Sequence, residues 1–382
     1  MRYIFCILLL VSLFAFCKKK NTPPPPPAVD ITKILSRGIN LSNWFNDYSD
    51  KGQYSNRFTA AQFSIIKQAG FTNVRLPIGH TILFQPANPS QLNAANLTYV
   101  DAAVKAIIDA GLTATINYHP LNDDYEKLMA TDVTKADALA AYWKAVASFF
   151  KKYPADKLIF EVYNEPHIAS YNSGVPVTKS WWAPVQEKLV KAIREITSEH
   201  YVVVGGEGWN SMDGLKLLTP YNYQRIVYNF HYYEPFVFTH QGATWVGDPW
   251  PLLKDVPYPS TPENVAPLIA ASSNQSVKDL LNWYGNYRFN TDTLYNQLKV
   301  AADWAKLNNV PLICNEFGSY KPFAPRQSRL NLIRDVRTSL EQLKIGWAMW
   351  DCDEGFGFID YPGGNRNNPV ADNEVLAALG LK

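Results

Sequence analysis

The sequence predicts a single (β/α)8 barrel, and three observations carry that prediction. Short apolar runs rich in Val, Ile and aromatic residues recur eight times from Ile31 onward. Longer segments of helical period separate them, the alternation of a parallel sheet covered by helices. No glycine-rich phosphate loop follows any run, which argues against a doubly wound nucleotide-binding sheet. Composition suits one large core, since 47% of the 382 residues are hydrophobic and only 18% are charged. The net charge is +2, with Lys18, Lys19 and Lys20 among the positive residues, so nucleic acid is not the expected partner. Aromatic residues make up 14% of the chain, including 11 Trp and 22 Tyr, a surplus of the kind that lines surfaces where flat ligands stack.

In chain order, residues 1–17 read as an export signal: Arg2, then an apolar run from Tyr3 to Phe16. That run is shorter than the roughly 20 residues a spanning helix needs. Cys17, followed by three lysines and by Pro23 to Pro27, resembles the acylated first residue of a mature bacterial lipoprotein; an ordinary secretory signal is the alternative. Residues 18–30 are expected to form a Lys/Pro-rich, stiff polyproline spacer, and residues 31–382 the barrel. The protein is thus expected to be exported and to meet a membrane only through a lipid anchor, at the cell surface or in the periplasm, as a monomer.

The first run, Gly38 to Trp44, precedes a helix whose start is marked by Thr59 and Gln62 at capping-box spacing, Phe58 and Phe63 as a hydrophobic staple, and Gly70 as the stop. The run Asn73 to Pro77 leads to a helix with Val100, Val104, Ile107 and Ile108 on one face, closed by Gly111. Further strands are expected over 112–119, 158–164, 201–206, 226–232, 311–317 and 345–351. Helices are expected near 135–152, 181–196, 213–218, 293–306 and 326–344. The segment 236–245 reads as a long insertion after the sixth strand. Residues beyond the roughly 250 of a typical barrel are assigned to loops. Cys314 and Cys352 lie in apolar strand runs, as buried thiols or as a bridge if those strands are neighbours.

In a barrel the C-terminal strand ends line the active site. The fourth run ends Asn164-Glu165-Pro166-His167 and the seventh ends Asn315-Glu316-Phe317-Gly318. A carboxylate placed directly after an apolar strand is solvated, paired or functional. Two at equivalent ends match the needs of acetal cleavage, where two carboxyl groups face one bond.

With these motifs the sequence resembles glycoside hydrolase family 5, the cellulase family of the clan that places one glutamate after strand four and one after strand seven. The resemblance covers nearly all of residues 31–382. It rests on Gly38 to Trp44, Val74-Arg75-Leu76-Pro77, Asn117-Tyr118-His119, Asn164-Glu165-Pro166, His231-Tyr232-Tyr233, Asn315-Glu316-Phe317-Gly318 and Trp347-Ala348-Met349-Trp350. It implies Glu165 as general acid/base, Glu316 as nucleophile, and a retaining double displacement that needs neither metal nor organic cofactor. Arg75 is expected to lower the pKa of Glu316, and partial burial to raise that of Glu165. The resemblance further implies that Asn164 meets the sugar 2-hydroxyl, that His119, His231 and Tyr233 orient the reacting sugar, and that Trp350 forms its stacking floor.

Trp44, Trp209, Trp245 and Trp250 are open candidates for further sugar subsites or for loop cores, with Trp181 and Trp182 less favoured. Glu207 has no assigned role. The expected substrate is a polysaccharide, first a β-1,4-glucan, with β-mannan, xyloglucan or β-1,3-glucan as alternatives. Two rival readings are a metal-dependent barrel hydrolase, for which too few ligands are visible and no His-Glu-x-x-His motif occurs, and a non-catalytic glycan-binding lipoprotein.

Overall fold

Eight parallel strands pair in sequence order and close when β1 pairs with β8. They are β1 (Arg37–Asn40), β2 (Asn73–Ile78), β3 (Thr113–Tyr118), β4 (Leu158–Glu161), β5 (Val202–Gly205), β6 (Ile226–Tyr232), β7 (Leu312–Phe317) and β8 (Gly346–Met349). Each falls on an expected run. The computed structural model describes residues 30–46 and 53–382; the signal, Cys17 and nearly all of the spacer lie outside the described residues. Residues Ile31–Lys382 form one compact unit. Among the described residues no helix is long and apolar enough to cross a membrane.

Parallel strands are covered on both faces, and every residue of β2, β3, β6 and β7 is buried. Because side chains alternate along a strand, the barrel interior is built in layers. At the bottom, Ile159, Val203, Val227 and Ile313 cluster with Ile31 and Leu35 of the entering chain. Two residues further along the strands the interior turns polar, with Asn40, Arg75, Glu161, Asn229 and Asn315, all buried. Two residues beyond that, His119 and His231 reach the mouth. The polar layer therefore forms the base of the site.

The first expected helix is Ala60–Ala69, with a capping box between Thr59 and Gln62 and a left-handed Gly70 at its end. The excess length, expected from the sequence to be loop, is partly helical. Two further helices, Pro262–Ala271 and Gln275–Tyr287, stand between β6 and the helix Thr291–Asn308. Pro267 inside the first of them interrupts its period, although the Thr261/Asn264 capping box was there to read. The expected helix over 213–218 shrinks to Met212–Lys216. Cys314 and Cys352 are buried, free thiols and form no bridge.

Candidate active site

A cleft of about 1090 Å3 opens at the C-terminal ends of the strands, lined by His119, Asn164, Glu165, His231, Tyr233, Glu316 and Trp350. Arg75 lies beneath them, fully buried. The structure thus brings together all of the expected central residues.

Glu316 belongs to β7 itself. The β6–β7 register slips between Phe230 and His231, so that His231 pairs with Glu316 after Phe230 has paired with Cys314. Such a bulge re-aims side chains, and here the adjacent Asn315 and Glu316 both reach interior partners: Asn229 donates to Asn315 Oδ1 (2.9 Å) and Arg75 to Glu316 Oε1 (2.6 Å). Tyr233 donates its hydroxyl to the other oxygen, Glu316 Oε2 (2.9 Å).

Arg75 spends all five of its N–H groups inside the barrel. Nε and Nη2 grip Glu161 Oε2 and Oε1 (2.7 and 2.8 Å), Nη2 also reaches Asn164 Oδ1 (2.7 Å), and Nη1 reaches Asn40 Oδ1 (2.9 Å) and Glu316. Asn40 is held in turn by the carbonyls of Asn315 and Met349. Asn164 Nδ2 points to His119 Nε2 (3.4 Å), and His119 Nδ1 meets Asn117 Oδ1 (2.9 Å). The Asn164 amide is therefore held at both its oxygen and its nitrogen.

Glu165 follows the end of β4 in a left-handed backbone conformation (φ 49°), which a non-glycine residue adopts at a cost and most often at functional sites. Its side chain keeps 27% exposure, against 5% for Glu316. His231 Nδ1 lies 2.6 Å from Glu165 Oε1 and 3.6 Å from Glu316 Oε2. One oxygen of each glutamate lies within 4.8 Å of the other, close to the roughly 5–5.5 Å spacing of retaining glycosidases. These donors converge as a cation site would, but the Arg75 guanidinium already supplies the positive charge to the same carboxylate.

Burial pushes Glu165 up to about 7 despite the opposing charges of His167 and Arg75. Burial also raises Glu316, with His231, Arg75 and the Tyr233 hydroxyl pulling the other way. This corrects the expectation of a lowered Glu316: Arg75 is shared with Glu161, so its charge does not offset the desolvation. Burial holds His231 down at about 4 and His119 well below the usual imidazole range, so both rings are neutral near pH 7. Burial keeps Tyr233 protonated as a donor.

Two buried glutamates secure the loop carrying Glu165. Glu126 Oε1 accepts from the amides of His167 and Ile168 (2.7 and 3.0 Å). Glu207 accepts from the Ala169 amide and the Ser170 hydroxyl, both at 2.8 Å. The previously unassigned Glu207 thus ties the loop after β5 to the loop after β4. Pro166 O adds to the tie by accepting from the amides of Gly208 and Trp209.

The tryptophans divide. Trp209, 43% exposed, stacks on His167 (4.7 Å, 14°) and lines the cleft, as does Trp245, 58% exposed, edge-on to Tyr320. Trp350 lines the cleft with its ring parallel to that of His119. Trp44 is corrected to a core residue: it is 5% exposed, packed on Phe45, Phe58 and Phe63, and its indole N–H donates to Tyr54 O. Trp250 is corrected as well, since it packs edge-on against Phe236 behind the cleft wall. Trp182 is fully buried, donating to Gly205 O.

Sequence reasoning missed Asn40, Glu126, Glu161 and Asn210. For Glu161 a signal existed, a lone carboxylate between Phe160 and Val162 inside an apolar strand.

Residues 29–355 match the family model for cellulase (glycosyl hydrolase family 5). Endoglucanase 3 of Fibrobacter succinogenes is 29% identical over 343 residues, 86% of this chain but 51% of that protein. Endoglucanase C of Acetivibrio thermocellus is 29% identical over 351 residues, 90% of this chain and 97% of its own length. Among solved structures, Cel5A of Thermotoga maritima with cellobiose is 28% identical with a TM-score of 0.72. Its complex with mannotriose gives 27% and 0.73, and both cover 91% of this chain and 98% of the other.

Proposed function

The chain belongs to the cellulase family, glycosyl hydrolase family 5, and from that premise we propose that it cleaves β-1,4-glucan internally by a retaining double displacement. It is a glycosidase. The observation that carries the mechanism is the carboxyl pair within 4.8 Å whose surroundings differ. Glu316 attacks the anomeric carbon while Glu165 gives its proton to the departing glycosidic oxygen. The product is a glycosyl ester on Glu316 and a shortened chain. Esterification removes a negative charge beside Glu165 and makes that carboxyl more acidic. As a carboxylate it then takes a proton from the water that cleaves the ester, which restores both groups. Asn164 has a second amide hydrogen free of His119 for the sugar 2-hydroxyl, a contact that strengthens in the transition state. Trp350 underlies the reacting ring, and Trp209 and Trp245 offer stacking faces at separate places along the cleft.

The glucan assignment is supported by the endoglucanase names of relatives that align along most of the chain. Reducing ends should appear on soluble cellulose derivative, with a rapid fall in viscosity, when compared across xyloglucan, mannan and β-1,3-glucan. Release from mannan alone would overturn the substrate while leaving the mechanism. Binding without release from any glycan would return the non-catalytic reading. The protein is further proposed to act as an exported monomer anchored through acylated Cys17; Cys17→Ser should abolish labelling by radioactive palmitate.

A further inference from the structure

Asn210 ends the Gly208–Asn210 turn after β5, in which Trp209 and Asn210 both adopt left-handed backbone (φ 57° and 52°). It is fully buried behind His231 and does not line the cleft. Its carbonyl accepts from the His231 amide (2.9 Å), and its side-chain amide lies 3.5 Å from His231 Nε2. With the amide nitrogen facing the ring, Asn210 Oδ1 has no donor, and neither has Asn229 Oδ1. Buried acceptors without partners are costly.

The two orphaned oxygens crowd one point. A Cβ on Gly205 would stand 2.1 Å from Asn229 Oδ1 and 2.7 Å from Asn210 Oδ1, so glycine at this strand end leaves room for both. Asn229 is held in its orientation, because its Nδ2 donates to Glu161 Oε1 (3.3 Å) and Asn315 Oδ1 (2.9 Å). Asn210 is not so held. Which end of an amide faces which neighbour is decided by the hydrogen bonds on offer. Turning Asn210 about its Cβ–Cγ bond would direct its N–H groups toward Asn229 Oδ1 and its own oxygen toward His231 Nε2, offering both orphans a donor.

We propose that Asn210 is a positioning residue whose Oδ1 holds the His231 proton on Nε2, so that the bare Nδ1 faces Glu165 and keeps the acid's proton on Glu165 Oε1. This deepens the proposed function, because it rests on Glu165 as the acid. At 2.6 Å one proton lies between Nδ1 and Oε1. With Nδ1 bare, ionising Glu165 sets two lone pairs against each other; with Nδ1 protonated, the ring would stabilise the carboxylate and empty the acid. The low His231 and raised Glu165 values agree that the proton belongs to the carboxyl. Glu165 is also faced by Arg75, Glu161 and His167. His231 is also faced by Arg75, Glu161, Glu316 and His119 and by the side chain of Asn315, a second hydrogen-bonding partner for the ring, and Tyr233 reaches the pair through Glu316.

The test is a tautomer measurement on the full chain labelled with 15N-histidine, with His231 identified by its loss in His231→Asn. Long-range 1H–15N spectra at neutral pH should show Nε2 protonated and Nδ1 bare; the reverse pattern overturns the proposal. In Asn210→Ala the preference should move toward protonated Nδ1. The alkaline limb of kcat/KM on polymer should then fall by about one pH unit, while an aryl glycoside with a nitrophenol leaving group, which needs no acid, keeps its rate. A folded Asn210→Ala protein with an unmoved limb also overturns it. The spectra need no substrate, so loss of the glucanase reading and loss of the tautomer reading give separate signatures.

Discussion

The ends of β4 and β7 carry the same dipeptide, Asn-Glu, yet the two glutamates live in different surroundings. Glu316 is part of its strand, turned inward by a bulge and gripped by Arg75 and Tyr233. Glu165 stands beyond its strand on a left-handed residue, partly open to the cleft, with a neutral histidine as its closest side-chain contact. The first environment supplies donors to a carboxylate; the second withholds them. A nucleophile must be ionised and a general acid protonated, so the two proposed roles rest on the local frame and not on the residue type. The supports differ as well: a five-fold hydrogen-bonded arginine below Glu316, and two buried glutamates clamping the loop around Glu165.

The largest loss is expected at Glu316. Glu316→Ala should lower kcat on glucan by on the order of 10^4-fold or more, with aryl glycosides equally affected; near-normal turnover would remove Glu316 from its role. Glu165→Ala should cost roughly 10^2–10^4-fold on glucan but far less for the glycosylation step of a nitrophenyl glycoside, because a good leaving group needs no proton. Equal losses on both substrates would show that the two sites are not divided as described. In wild type, the proton on Glu165 is held through the weakly acidic range and lost as pH rises through about 7. Polymer kcat/KM should therefore fall above that pH, and a limb near the ordinary carboxylate value would contradict the raised acid. Glu161→Gln leaves Arg75 with Glu316 as its one carboxylate partner, and it should lower stability in urea by about 3 kcal/mol while moving the acidic limb downward. The smallest expected effect is at the rim: Trp209→Ala should raise KM on polymer about 3- to 10-fold with kcat nearly unchanged, as loss of one stacking face predicts.

Much of the fold and of the site is legible in the sequence. Alternation of apolar runs with helical period marked all eight strands, and the capping box at Thr59 marked a helix start to the residue. The two Asn-Glu strand ends marked the carboxyl pair, since charge after an apolar strand demands an explanation. The helices Pro262–Ala271 and Gln275–Tyr287 were missed where a proline and polar residues blurred the period. The tryptophans were undecidable because an indole at a strand end has the same local sequence whether it packs inward, like Trp44, or faces the cleft, like Trp209.

By itself the sequence determined the barrel and placed two carboxyl groups at equivalent strand ends, because periodicity and strand-end chemistry are local properties written in consecutive residues. The tertiary structure alone decided how Arg75 divides its donors between Glu161 and Glu316, that Asn210 stands behind His231, and which rings meet the cleft. Those partners are separated by 86 and 241 residues along the chain in the case of Arg75. Their electrostatics depend on distance and burial in a low-dielectric interior, quantities that exist only once the barrel has closed.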